Sequence, residues 1–144
     1  MFWRKQHRGD VRIKDDTAIS ADDIRNNNLI LWGDPSSNKL IARIAQKLPI
    51  HWLPEGIHAG EHTYPSTTHA LITVYPNPLN PNRYVVFNSS FTWREYDALN
   101  NARQIPKLPD WGVVDLTIPP NSRWPGKIVD AGFYGERWEL MERK

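Results

Sequence analysis

The sequence predicts a three-layer α/β domain with a mostly parallel sheet, similar to a Rossmann or flavodoxin-like topology. A short apolar run at residues 29–32 ends in a Gly-Asp-Pro-Ser-Ser-Asn turn, and a segment with helical periodicity follows at once. This is the strand–turn–helix unit of an open α/β sheet. Residues 70–75 and 84–88 are apolar at consecutive positions, as is typical of strands covered on both faces.

The elements follow in order from these signals. Residues 1–28 form a polar lead-in, in which Ser20 and Asp23 predict a short helical turn with a capping box. The strand at 29–32 comes next, followed by a helix from about Ser37 to Lys47. The apolar residues of this helix repeat at helical spacing and place one face on the sheet: Leu40, Ile41, Ile44, Ala45 and Leu48.

Pro49 ends this helix, and Ile50–Leu53 is predicted to be the next strand. The right-handed crossover rule makes residues 29–53 a β-α-β unit of one parallel sheet. The remaining strands are predicted over 70–75, 84–88, 113–116 and 127–134.

A second helix is predicted to begin at Thr92 and to end before Pro106. Thr92 and Glu95 form a T-x-x-E capping box, and Phe91 and Tyr96 stand at the two ends of a hydrophobic staple. Loss of this cap in Thr92→Ala is expected to cost about 1 kcal/mol of stability.

Composition predicts one globular domain over residues 29–144, because the chain has 144 residues, 40% of them hydrophobic and 24% charged. The absence of cysteine excludes disulfides, thiolate catalysis and cysteine metal sites. No apolar segment reaches membrane-spanning length, and the first residues lack the apolar region of a signal peptide, so we expect a soluble protein without an export signal or a membrane partner.

A cluster of basic residues lies near the start of the chain. Because the net charge is only +2 and charge alone is weak evidence, we interpret this cluster as a solvated terminus and expect no nucleic-acid partner. The basic residues are Arg4, Lys5, Arg8, Arg12 and Lys14.

Two turns could hold a small polar or anionic ligand at the carboxyl edge of the predicted sheet. The 33–38 turn precedes a helix N-terminus, where amides favour an anion, although it lacks the glycines of a phosphate loop. The alternative is that a serine caps the helix and Asn38 completes the turn. The 76–83 loop leaves a second strand end, and its asparagines could instead bond their own backbone. The candidate ligand-binding residues are Gly33, Asp34, Ser36, Ser37, Asn38, Asn77, Asn80 and Arg83.

Residues 58–62 read H-x-x-E-H, the inverted zinc-peptidase pattern. That chemistry needs both histidines one helical turn apart, whereas Gly60 lies inside the motif and Pro54 and Pro65 flank it. We therefore interpret the match as fortuitous, with no catalytic metal and no cofactor. Weak candidates for an adventitious metal are His58, Glu61, His62 and His69.

A Ser-His-Asp set is a further alternative, which would make the chain a hydrolase in its own right. The residues that could join a histidine are Ser89, Ser90, Asp97, Asp115 and Asp130. Their spacing does not single them out, because such residues occur in almost any chain of this size. No catalytic residue is predicted.

Several stretches resemble the C-terminal region of some bacterial secreted proteins of the prolyl oligopeptidase/esterase group. They are residues 28–35, 75–86, 94–97 through 106–111, and Ala131-Gly132-Phe133 with Trp138, so that the likeness covers most of residues 20–140. In those proteins an α/β-hydrolase domain precedes this region and carries the catalytic serine. This chain has no G-x-S-x-G motif, so no catalytic residue is carried over.

The resemblance implies a non-catalytic accessory or interaction domain, standing alone or excised from a longer chain. Its expected partner is an α/β-hydrolase catalytic domain in the same or another chain. The second hypothesis is a module that binds a small polar or anionic ligand at the sheet edge. The third is the stand-alone hydrolase.

Overall fold

Within the described residues, the fold consists of two β-sheets and two short α-helices. The computed structural model describes Arg4 and residues 8–88, 109–119 and 126–141. Strands account for 38% of these residues and helices for 17%. Strand is therefore the predominant regular structure in the part of the chain that the structure describes.

The larger sheet has five strands in the order β1-β6-β5-β7-β8. Strand β1 runs parallel to β6, and the three other pairings are antiparallel, which makes the sheet mixed. The strands are β1 (Leu29–Leu31), β5 (His69–Asn77), β6 (Asn80–Phe87), β7 (Trp111–Asp115) and β8 (Lys127–Gly132).

The smaller sheet is an antiparallel meander of three short strands in the order β2-β3-β4. The turn between β3 and β4 contains Gly60, whose φ of +62° lies in the left-handed region that glycine adopts readily. The strands are β2 (His51–Trp52), β3 (Ile57–Ala59) and β4 (His62–Tyr64).

The prediction of a three-layer, mostly parallel Rossmann or flavodoxin-like fold is wrong. Strands β5 and β6 are joined by only Pro78 and Leu79, and a connection this short permits only an antiparallel pair. The predicted 76–83 loop is thus largely strand. Consecutive apolar residues report burial on both faces, but they do not report strand direction.

The predicted β-α-β unit over residues 29–53 is also wrong as a single-sheet crossover. Strand β1 and the following helix are present, but β2 has two residues and belongs to the smaller sheet. The neighbour of β1 is instead β6, with Leu29 opposite Val85. The parallel pair therefore arises from strands distant in sequence.

The first helix, α1 (Ala21–Asn26), begins with the predicted capping box. The Asp23 amide donates to Ser20 Oγ at 3.2 Å, and the Ser20 amide donates to Asp23 Oδ2 at 2.9 Å. The helix packs against β6. This local prediction is confirmed.

The second helix, α2 (Lys39–Ile44), continues into a 3-10 turn over Ala45–Lys47. It begins two residues later than predicted, and Leu40, Ile41 and Ile44 are buried. The predicted helix from Thr92, with its capping box, lies outside the described residues. None of the helices in the described part of the chain is long and apolar enough to cross a membrane.

The hydrophobic core lies between one face of the larger sheet, helix α2 and the smaller sheet. Strand register places Leu29 and Leu31 on the same face as Val85 and Phe87. The smaller sheet contributes buried side chains, including Trp52 and Ile57. This packing sets the positions of the turns at both ends of the sheet.

Candidate functional site

The 33–38 turn follows β1 and is held together by the carboxylate of Asp34. Asp34 Oδ1 accepts hydrogen bonds from the amides of Ser36 and Ser37, both at 2.8 Å, and from their hydroxyls at 2.6 and 3.0 Å. Hydrogen bonds from these two serines, that of the Ser36 hydroxyl first, lower the pKa of Asp34. Gly33 has a φ of +107°, and a Cβ there would meet Ser37 Oγ at 2.6 Å. The turn thus satisfies its own polar groups.

The amides at the start of α2 are also taken by acceptors of this chain. Asn38 Oδ1 accepts from the amides of Leu40 at 2.9 Å and Ile41 at 3.0 Å, while the Lys39 amide donates to Asp16 Oδ2 at 2.6 Å. Asn38 is therefore the N-cap, and the serines bond Asp34 instead. These three amides therefore donate to acceptors of the protein itself and are not available to bind an anion.

Asn88 completes this end of the sheet, and the sequence reasoning missed it. Its Oδ1 accepts from the Gly33 amide at 3.0 Å, and its Nδ2 donates to the carbonyls of Gly33 at 3.1 Å and Leu71 at 3.0 Å. Asn88 is 4% exposed and has a φ of +52°. An asparagine directly after an apolar strand was the available signal, because asparagine tolerates left-handed backbone.

The other predicted ligand residues lie at the opposite end of the larger sheet. Because β5 is antiparallel to β6, the β5–β6 turn is remote from the end of β1. Asn80 Nδ2 donates to the carbonyls of Ile24 and Arg25 at 3.1 and 3.0 Å, and Arg83 Nε donates to the Arg25 carbonyl. Asn80 and Arg83 therefore anchor α1.

Asn77 is fully buried at the same turn. Its Oδ1 accepts the Leu79 amide at 2.9 Å, and its Nδ2 has no hydrogen-bond partner among the described residues. The eight candidate residues thus fall into two groups at opposite ends of the sheet. They do not line a common pocket.

The H-x-x-E-H motif forms the β3–β4 hairpin instead of a helix. His58 lies opposite Thr63, and Ala59 lies opposite His62, so His58 and His62 project from opposite faces of the smaller sheet. His58 Nδ1 lies 3.0 Å from Thr63 Oγ1. Two imidazoles on opposite faces do not bind one metal ion.

His69 lies on β5 and does not join these two histidines in a metal site. Its Nδ1 is 3.0 Å from Thr68 Oγ1 and 3.2 Å from the Pro65 carbonyl. Across the described ranges, no group of three or more His, Cys, Asp or Glu side chains could hold a metal ion. Glu61 stands in the β3–β4 turn and is exposed.

The two candidate catalytic acids in the described ranges both make structural hydrogen bonds. Asp115 Oδ1 accepts from the Thr117 hydroxyl at 2.6 Å and amide at 2.9 Å, and these bonds lower the pKa of Asp115. Asp130 is buried and accepts from Tyr64 Oη at 2.8 Å, which joins the two sheets. The other candidates, Ser89, Ser90 and Asp97, lie outside the described residues.

Four aromatic rings, which we term the aromatic cluster, meet where the C-terminal segment crosses the larger sheet: Tyr75, Tyr84, Tyr134 and Trp138. The Trp138 ring centroid is 5.7, 5.6 and 6.0 Å from those of Tyr75, Tyr84 and Tyr134, respectively. Burial raises the pKa of Tyr134, whose hydroxyl lies 2.8 Å from Thr73 Oγ1. Tyr84 is exposed and Trp138 is half-buried.

A groove of about 470 Å³ lies beside the same segment, between the β3–β4 hairpin and the larger sheet. Its apolar side chains are Ala59, Trp111, Leu140 and Met141, and the β3–β4 hairpin also contributes Gly60, Glu61 and His62 to its lining. The C-terminal segment thus contributes to both the groove and the aromatic cluster.

Comparisons of the chain with protein-family models, with curated proteins and with solved structures found no match.

Proposed function

We propose that this chain is a non-catalytic interaction domain whose binding surface includes the C-terminal segment 133–141. The observation that carries the proposal is the exposure of large apolar side chains along this segment. Phe133 is 66% exposed and Met141 is 58% exposed, and Leu140 lines the adjoining groove. Exposed large apolar side chains beside an apolar groove favour a protein partner.

The polar groups support the same proposal. At the 33–38 turn, Asp34 and Asn38 are bonded to the backbone of their own turn and helix. Asp115 accepts a hydrogen bond from Thr117, and Asp130 accepts one from Tyr64, so both carboxylates have structural roles. Because these polar groups already form hydrogen bonds within the chain, an interaction surface is favoured over the alternative of a small anionic ligand at the sheet edge.

The partner we propose is an α/β-hydrolase catalytic domain, in the same or another chain. This choice rests on the resemblance to the C-terminal region of prolyl oligopeptidase/esterase-group proteins. The exposed Phe133 belongs to the Ala131-Gly132-Phe133 stretch that carries part of that resemblance. An apolar side chain at this position is suited to burial against a neighbouring domain.

The test has two parts. The isolated chain is assayed with p-nitrophenyl esters and chromogenic peptides, for which no turnover is expected. Binding to the hydrolase domain of a prolyl oligopeptidase/esterase-group protein is then measured by isothermal titration calorimetry. Turnover that survives rigorous purification, or the absence of binding, would overturn the proposal.

Matched variants locate the surface. Phe133→Asp and Met141→Asp are expected to weaken binding about tenfold or more, because each places a charge in an apolar interface. Ile13→Asp is the control, since Ile13 is 83% exposed but lies in the N-terminal segment. Equal binding by all three variants would contradict the placement of the surface.

A further inference from the structure

One wall of the groove beside the C-terminal segment is an indole that packs against the larger sheet. Trp111 is 4% exposed and stands opposite Gly132 in the β7–β8 pairing. A Cβ at position 132 would meet Trp111 Cζ2 at 2.8 Å, so glycine at this position allows the indole to lie against β8. The position of this aromatic wall is therefore set by packing.

The other lining residues leave space and adapt to an occupant. The β3–β4 hairpin contributes Ala59 and Gly60, which are the two smallest residue types. On the C-terminal segment, Leu140 is held by a β-bridge to Tyr134, whereas Met141 is 58% exposed. The unbranched thioether chain of methionine adjusts to differently shaped partners, which suits a binding surface.

The groove has the size of a binding site. Its volume of about 470 Å³ lies within the range of roughly 300–1,000 Å³ that is typical of ligand pockets. One large side chain of a partner protein fits into such a space. Because Leu140 and Met141 belong to the C-terminal segment, the groove is continuous with the surface that we assign to the partner.

The lining of the groove also carries a negative charge. Glu61 is exposed, and no described residue forms a hydrogen bond or an ion pair with its carboxylate. The lining residues that the structure describes include neither lysine nor arginine. With histidine neutral, the whole chain has a net charge of +2, so the groove is opposite in sign. A complementary partner group is therefore apolar with a cation beside it.

We propose that the groove receives one large apolar side chain of the partner, flanked by a lysine or arginine that pairs with Glu61. An apolar anchor in a pocket, with charged groups around it that select the partner, is a common arrangement in protein interfaces. This pairing rests on the proposed interaction function and specifies the chemistry of the partner residues that reach the groove.

The primary test titrates the full chain with three acetylated tripeptide amides, Lys-Phe-Lys, Lys-Ala-Lys and Glu-Phe-Glu, and follows the methionine methyl signals by NMR. The chain has two methionines, so Met141→Leu identifies the signal of Met141. Lys-Phe-Lys is expected to bind at least about fivefold more tightly than the other peptides, because one lacks the apolar anchor and the other reverses the charge. Equal affinities, or no shift of the Met141 methyl signal, would overturn the proposal.

Charge variants test the pairing with Glu61. Glu61→Gln is expected to weaken binding of Lys-Phe-Lys about threefold and Glu61→Lys about tenfold, because reversal adds repulsion to the loss of an exposed ion pair. Glu55→Lys is the matched control, since it makes the same substitution at an exposed site in the β2–β3 turn, at the other end of the smaller sheet. Thermal melting verifies folding. Equal losses in the two lysine variants would contradict the pairing.

The same measurements separate the groove from the proposed hydrolase partner. If the hydrolase domain binds the chain while Glu61→Lys binds it as tightly as the parent and the peptides leave Met141 unshifted, the interaction function stands and the groove is not its site. If Lys-Phe-Lys binds in the groove and the hydrolase domain does not bind, the groove chemistry holds and the choice of partner is wrong.

Discussion

The side-chain amide of Asn88 forms two hydrogen bonds with the backbone of Gly33, one to its amide at 3.0 Å and one to its carbonyl at 3.1 Å. A third bond from Nδ2 reaches the Leu71 carbonyl on β5. These bonds fasten the turn after β1 to the ends of two neighbouring strands. Because β1 has only three residues, this connection is important for holding it at the sheet edge.

Replacement of Asn88 tests this connection. Asn88→Ala is expected to lower the free energy of unfolding by about 3 kcal/mol, because hydrogen bonds are lost at a buried site and alanine is strained at positive φ. Asn88→Gly removes the same bonds without that strain and should lose about 1 kcal/mol less. Urea unfolding measures both. A change below about 1 kcal/mol in the alanine variant would show that the bonds are dispensable.

The N-cap of α2 gives a second prediction. Asn38→Ala removes the acceptor for the Leu40 and Ile41 amides and should cost about 1–2 kcal/mol in thermal or urea unfolding. Asn38→Asp keeps an acceptor oxygen at the helix N-terminus and should cost less. Equal losses in the two variants would mean that the capping bonds do not stabilise the helix.

The bond between Tyr64 and Asp130 joins the two sheets and gives a third prediction. Tyr64→Phe deletes only the hydroxyl that donates to Asp130 and is expected to cost about 1.5 kcal/mol. Tyr84→Phe deletes an exposed hydroxyl and should change stability by less than about 0.5 kcal/mol. Chemical denaturation compares the variants, and similar values for both would contradict a structural role for this bond.

Acid stability gives a fourth prediction. The pKa of Asp23 is held well below its ordinary 3.8, first by the side-chain bond from Lys14 and then by bonds from Ser20, and the pKa of Asp34 is also lowered. A lowered folded-state pKa stabilises the fold above the unfolded value of 3.8, and this contribution is lost as the pH falls through the folded pKa. The free energy of unfolding should therefore decrease below about pH 4.

The variant pair Asp23→Asn and Asp34→Asn identifies the groups responsible. Each asparagine cannot ionise, so the free energy of unfolding of each variant should depend less on pH below about pH 4 than that of the parent chain. Unfolding is followed at several pH values, with pH 7 as the common reference. If the free energy of unfolding depends on pH in the same way in the parent chain and in both variants, other groups cause the acid sensitivity.

Local sequence signals predicted many of the elements correctly. The Ser20–Asp23 capping box forms as expected, because both partners lie within one helical turn. Strand positions were also found from apolar runs, as at 70–75, which lies within β5. The 33–38 turn was recognised, but Asn38 rather than a serine caps the helix.

The candidate site could be predicted only in part, because the sequence does not show which of its turns lie at the same end of the sheet. The Asn38 amide donates to the Asp34 carbonyl at 2.9 Å because both residues belong to one turn, whereas Asn77 and Asn80 lie at the other end of the sheet. The role of Asn88 depends on Gly33, 55 residues away in sequence. A pattern of neighbouring residues cannot predict a hydrogen bond between residues so far apart in the sequence.

The sequence by itself determined where β1, β5 and the capped helix α1 form, because propensity, capping and hydrophobic periodicity act over a few residues. It did not reveal the short strands β3 and β4. Only the tertiary structure decided strand direction and partner choice, which depend on connection length and on which buried faces meet. The H-x-x-E-H motif shows the difference, since pairing of Ala59 with His62 places its histidines on opposite faces. The aromatic cluster likewise exists only because the C-terminal segment brings Trp138 to Tyr75 and Tyr84.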